Sequence, residues 1–89
     1  MEIMISATAG TMESSDVYVE IAPGSGTVEI ALESVVKQQF GEAIQAAVLD
    51  VLNQQQVTSA KVHIVDRGAL ECVLRARVET AVKRGKGRA

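Results

Sequence analysis

The side chains of this sequence whose chemistry goes beyond surface charge are the hydroxyls of Ser14 and Ser15, the imidazole of His63 and the thiol of Cys72. A serine nucleophile needs a base within hydrogen-bond reach and a further group to orient that base. The only histidine, His63, falls on the polar face of an expected short strand and is read as structural or exposed. Cys72 is the only cysteine, so it has no internal disulfide partner. Inside an expected helix it is read as a small core residue. One His and one Cys among scattered carboxylates give no tetrahedral ligand spacing, so no metal site is expected. No glycine-rich phosphate loop precedes a helix. The Arg75 and Arg77 pair reads first as a solvated helix face and second as a docking site. No residue is assigned a catalytic role.

What remains is the segment Gly10-Thr11-Met12-Glu13-Ser14-Ser15-Asp16, small and polar around one methionine. With acidic neighbours and no base nearby, its serines are poor nucleophiles. A hydroxyl on an exposed loop can nevertheless enter a foreign active site without unfolding the domain, so the chemistry that suits this segment is modification by another enzyme. Residue types alone leave the loop open between a modification site and an ordinary surface loop.

The elements that must position this loop follow from hydrophobic period. Ile3, Ile5, Ala7 and Ala9 alternate with polar residues and predict a first strand over 3–9. Val17, Val19 and Ile21 alternate up to Pro23, and Val28, Ile30 and Leu32 alternate after Pro23-Gly24-Ser25-Gly26. That pair reads as a β-hairpin. From Ser34, a candidate N-cap, the period lengthens. Val36, Phe40, Ile44, Ala47, Val48 and Val51 form one helical stripe, ending near Asn53. Lys61 to Asp66 predicts a fourth strand and Asp66-Arg67-Gly68 a turn. Leu70, Val73, Leu74, Val78, Ala81 and Val82 predict a second helix with Glu71 at its start, Lys83 and Arg84 near its end, and Gly85 as a left-handed closing residue. The order β-β-β-α-β-α predicts an α+β fold, a small mainly antiparallel sheet with two helices on one face.

The chain has 89 residues, of which 47% are apolar, enough for one modest core and one domain over 1–89, with 85–89 as a flexible tail. A net charge of −2 supplies no basic field for nucleic acid or an anionic membrane. Tyr18 and Phe40 are the only aromatics, so stacking platforms are lacking and the core must be aliphatic. No apolar run reaches the ~20 residues that span a bilayer. A soluble protein of the reducing cytoplasm is expected.

Two separated segments are more specific than any of these patterns: Ala9-Gly10-Thr11-Met12-Glu13-Ser14-Ser15-Asp16-Val17, and Asp66-Arg67-Gly68-Ala69-Leu70-Glu71-Cys72-Val73-Leu74-Arg75-Ala76-Arg77. With Ser34-Val35-Val36-Lys37-Gln38-Gln39-Phe40-Gly41 and Ile44, they resemble the citrate lyase acyl carrier proteins, or gamma chains, over nearly the whole chain. The resemblance implies that the serine of the Gly-Thr-x-Glu-Ser motif, here Ser14, carries a covalent phosphoribosyl dephospho-CoA group through a phosphodiester. The family often has glycine next, where this chain has Ser15; Ser14 keeps the register with Gly10, Glu13 and Asp16.

The resemblance further implies a non-catalytic subunit whose arm carries acetyl and citryl thioesters. An alpha subunit would exchange acetate for citrate and a beta subunit would release oxaloacetate. A prosthetic-group transferase would load the arm, and the whole would form a cytoplasmic hetero-oligomer. Fatty-acid acyl carriers differ, since their modified serine follows an aspartate at a helix start in a four-helix bundle, whereas Ser14 follows Glu13 between strands. The carrier subunit of malonate decarboxylase, similar in its CoA-derived group but less so around Asp66 to Arg77, is the second reading. An unmodified assembly subunit is the third.

Overall fold

The computed structural model describes residues 2–87. It contains strands β1 (Ala7–Gly10), β2 (Val17–Pro23) and β3 (Val28–Ser34), helix α1 (Lys37–Gln54), strand β4 (Ala60–Asp66) and helix α2 (Glu71–Gly85). The order is the expected β-β-β-α-β-α, and the fold is α+β. The four strands form one sheet in the spatial order β1-β2-β4-β3, antiparallel at β1–β2 and β2–β4 and parallel at β3–β4.

Strand alternation decides which side of this sheet is covered. The register aligns Ala9 with Val19, Val19 with Ile64 and Ile64 with Leu32, and likewise Ala7 with Ile21, Ile21 with Val62 and Val62 with Ile30. Because successive side chains point to opposite faces, these residues share one face. α1 adds Ile44, Ala47, Val48, Val51 and Leu52 to the same core, and α2 adds Leu74, Val78, Ala81 and Val82. The opposite face carries Tyr18, Glu20, Lys61, His63, Glu29 and Glu33 and, among the described residues, has no helix over it. Among the described residues, no helix is long and apolar enough to cross a membrane.

The expected hairpin does not form. β4 lies between β2 and β3, paired with both. Its Ala60, Val62 and Ile64 are at most 2% exposed, whereas Val28 and Ile30 of β3 remain half-buried, so the strand with the more deeply buried face occupies the centre. The Pro23–Gly26 segment wraps the start of β4 instead of closing a tight turn. Gly26 N–H donates to Ser59 Oγ and Ala60 N–H to the Thr27 carbonyl. A Cβ on Gly24 would stand 2.4 Å from the Ala60 nitrogen, so only glycine permits that approach.

Other boundaries also move. β1 begins at Ala7, not Ile3. Ile3 is buried, Ile5 is exposed, and the N–H groups of Met4 and Ile5 both donate to the Gly85 carbonyl at 2.8 and 3.0 Å. The N-terminal segment thus satisfies an orphan carbonyl at the end of α2. Gly85 is the buried last residue of α2, and it is Gly87, φ 77°, that adopts the left-handed conformation. Of the expected tail, residues 88–89 lie outside the described residues.

Ser34 ends β3, and α1 starts at Lys37 after Val36, without a side-chain cap. Phe40, expected in the buried stripe, is 52% exposed. Val48 is fully buried at the centre of the stripe. Val48→Asp places an unpaired charge there at a cost of several kcal/mol, about the whole stability of a domain this small. Circular dichroism on heating is expected to show no cooperative transition; a native-like melt would refute this packing.

Candidate functional site

The connection between β1 and β2 is braced at both ends. It leaves β1 at Gly10, whose φ of 88° lies in the left-handed region and whose missing Cβ would stand 1.9 Å from the Val17 carbonyl oxygen. Any side chain there is excluded twice, by backbone conformation and by space. It re-enters the sheet at Asp16, and between these points Glu13 to Asp16 form a turn in which the Asp16 N–H donates to the Glu13 carbonyl at 3.2 Å. Ser14 and Ser15 are the two central residues, both exposed. Ser15 has φ 64°, a value that favours glycine at the third position of such a turn.

The carboxylate of Asp16 holds the loop. Its Oδ2 accepts the Thr11 hydroxyl at 2.7 Å and its Oδ1 accepts the Val17 N–H at 2.7 Å. The guanidinium of Arg77, two turns into α2, donates from Nε to Oδ1 at 3.2 Å and from Nη2 to Oδ2 at 3.0 Å. This is a bidentate fork. The Thr11 hydroxyl, the Val17 amide and Arg77, in that order, hold the Asp16 carboxyl down at about 2, below its ordinary 3.8. Thr11 Oγ1 also accepts the Glu13 N–H at 3.2 Å. The reading of Arg77 as a solvated charge is therefore overturned.

The turn after β4 supplies the other brace. Ser15 N–H donates to the Arg67 carbonyl at 2.8 Å and Arg67 N–H to the Asp16 carbonyl at 2.9 Å, carrying the β2–β4 pairing past its last register pair. The Asp66 side chain is buried and fully engaged. Its Oδ2 accepts the Ser34 hydroxyl at 2.8 Å and its Oδ1 the Ala69 N–H at 3.0 Å. Its own carbonyl accepts the Val35 N–H. One residue thereby joins the end of β3, the end of β4 and the approach to α2. The segments 9–17 and 66–77, far apart in sequence, form one structure around Ser14. Neither Ser14 nor the Arg67 side chain makes a hydrogen bond or ion pair among the described residues.

The remaining candidates lie elsewhere. His63 is on the open sheet face, with Nε2 2.6 Å from Glu33 Oε2 and Nδ1 3.8 Å from Glu20 Oε1. That is a surface cluster apart from the serine loop. Cys72 is exposed, not a core residue, because the buried stripe of α2 runs through Leu74, Val78, Ala81 and Val82 instead. Arg75 bridges Asp50 of α1 at 2.6 Å and Glu71 at 3.1 Å, so it ties the helices together. Among the described residues no cluster of potential ligands could hold a metal ion. Sequence reasoning missed the roles of Thr11, Arg67 and Arg77; the pairing of two separated motifs was the only signal linking them.

The family profile described as malonate decarboxylase delta subunit matches residues 5–85. The citrate lyase acyl carrier protein of Oenococcus oeni is 48% identical over 84 residues, covering 94% of this chain and 87% of that protein. That of Vibrio cholerae is 53% identical over 85 residues with the same coverage. Among solved structures, a chain of a Pseudomonas malonate decarboxylase hetero-tetramer in complex with malonate superposes with a TM-score of 0.75. It is 22% identical and covers 90% of this chain and 82% of that one, a likeness of fold.

Because the Asp16 pKa is lower folded than unfolded, its contribution to holding the loop is present above 3.8 and is lost as pH falls toward about 2. An NMR titration of the Asp16 carboxyl is expected to show its midpoint near 2 in the native chain. Arg77→Ala should move the midpoint up toward 3.8 and speed amide exchange in residues 11–17. An unmoved midpoint would show that the fork does not hold the carboxylate.

Proposed function

This chain belongs to the citrate lyase acyl carrier protein family, under the profile it shares with the malonate decarboxylase delta subunit, and we propose that it carries its acyl cargo on a group attached to Ser14 Oγ. The observation that carries this reading is an exposed, unengaged hydroxyl at the crest of a turn braced from three elements. Such a hydroxyl can enter a transferase active site while the scaffold stays folded. The sheet's only imidazole is engaged with Glu33 on the open face, which fits a serine that receives a group and does not attack.

The residues around Ser14 fit a phosphoribosyl dephospho-CoA group joined through a phosphodiester. The hydroxyl supplies the ester oxygen, and the adjacent exposed Arg67, without an ion-pair partner among the described residues, can face the phosphate's negative charge. When bound, the group supplies a thiol that holds acyl cargo as a thioester. Ser15 is the poorer attachment point. Its position is defined by a backbone conformation that glycine fills best, so no side chain is required there.

In this reading the chain is a non-catalytic subunit of a citrate lyase. It works with an alpha subunit that exchanges acetate for citrate, a beta subunit that releases oxaloacetate, and a transferase that loads Ser14. A rigid base for the tether keeps the cargo at high effective concentration for both catalytic sites. The solved structure of similar fold comes from a hetero-tetramer, which supports a hetero-oligomeric assembly. An exposed, unpaired Cys72 suits a reducing cytoplasm. The matching profile and that structure favour, as second reading, the carrier subunit of a malonate decarboxylase. Identities of 48% and 53% to citrate lyase carriers weigh for the first.

Intact-mass measurement of the protein from its native host grown on citrate, followed by fragmentation, is expected to place the adduct on Ser14. Ser14→Ala should lose the adduct and the activity of the complex while its thermal unfolding stays within ~0.5 kcal/mol of the native chain. Ser15→Gly should keep both. A modified, active Ser14→Ala complex would overturn the assignment.

A further inference from the structure

A groove of about 340 Å³ lies between the first half of α1 and the start of α2, walled chiefly by Val36, Phe40, Ala43, Ile44, Leu70 and Leu74. At its edge Phe40 is 52% and Leu70 72% exposed, apolar surface that folding leaves in water. Its boundary also includes Asp66, Gly68 and Ala69, the turn whose intervening residue, Arg67, is hydrogen-bonded through its backbone to Ser15 and Asp16. The groove and the Ser14 loop are therefore two sides of one rigid turn.

We propose that this groove is the resting berth of the arm carried on Ser14, holding the aliphatic part of the arm between transfers. The inference rests on the carrier reading above. Charge sorts the arm along the path. Its phosphates, the phosphodiester at the tether and the diphosphate before the aliphatic portion, are anionic and suit the exposed Arg67 outside the groove, while the carboxylates of Asp66 and Glu71 on the groove disfavour phosphate within it. The aliphatic portion matches the apolar walls, and its amide N–H groups can donate to the Glu71 carboxylate, which Arg75 already holds in place at 3.1 Å. Tethering decides the occupant. A group attached at the next turn is present at an effective concentration on the order of millimolar, so contact whose dissociation constant lies below that fills the groove ahead of a dilute free ligand. The terminal thioester is thereby kept from bulk water until a catalytic subunit draws it out.

The test uses the full chain carrying its arm, with the adduct verified by mass, in a Cys72→Ser background because the exposed Cys72 thiol would also react. Reaction of the arm's thiol with an aromatic disulfide reagent is expected to be several-fold slower than that of free CoA. Ala43→Trp, which fills the groove from an exposed helix position, should restore the faster rate without lowering the melting temperature. Comparison of amide NMR spectra with and without the arm is expected to show shifts at Ala43, Ile44, Ala69 and Leu74. Shifts confined to residues 11–16, with thiol rates equal in all variants, would overturn the berth and leave the carrier reading standing. Groove shifts appearing only when the catalytic subunits are added would assign the groove to a partner and overturn the arm as occupant. Absence of any adduct on Ser14 in active complex would overturn both readings.

Discussion

The carboxylate of Asp16 is the constraint on which the site depends. It takes the Thr11 hydroxyl, the Val17 amide and both arms of the Arg77 fork, so a loop that would otherwise be free to wander is tied to its own two ends and to a helix. Hydrogen bonds to an ionised group are stronger than neutral ones, and a planar fork fixes orientation as well as distance. The consequence is a serine that is exposed yet held on a fixed base. An accessible hydroxyl on a mobile loop would offer a modifying enzyme many conformations; this loop offers few.

Asp66 plays the matching part on the inside. Nearly fully buried, it accepts from Ser34 and Ala69, so both of its carboxyl oxygens are hydrogen-bonded rather than stranded in the core. Because it ends the central strand, the same residue fixes where β3 gives way to α1 and where α2 begins. The two aspartates, one at the start of β2 and one at the end of β4, stand at the same end of the sheet, and all of the loop bracing is built there. The remainder of the molecule is an aliphatic core that keeps these ends in register.

This division suits a carrier. Stability comes from burial of Val, Ile, Leu and Ala between one sheet face and two helices, while the exposed Ser14 hydroxyl at the sheet's end contributes little to folding. The apolar groove between α1 and α2 lies beside the loop, at the same end of the fold.

The sequence by itself determined the local periods. Val17, Val19 and Ile21 had to share a buried face, and so did Ala47, Val48 and Val51, because alternation and helical spacing are properties of the chain itself. The order of elements and the family motif with Ser14 at its centre were also legible. What the tertiary structure alone decided was which strands pair, because pairing is a contest among non-local partners. β4 lies between β2 and β3 with a neighbour on each side, so the expected hairpin is not formed. It likewise decided that Arg77 anchors Asp16, that Cys72 faces water, and that Phe40 and Leu70 flank a groove. Arg77 and Asp16 are 61 positions apart, and the reach between them is set by how α2 lies across β1 and β2, which no local pattern encodes.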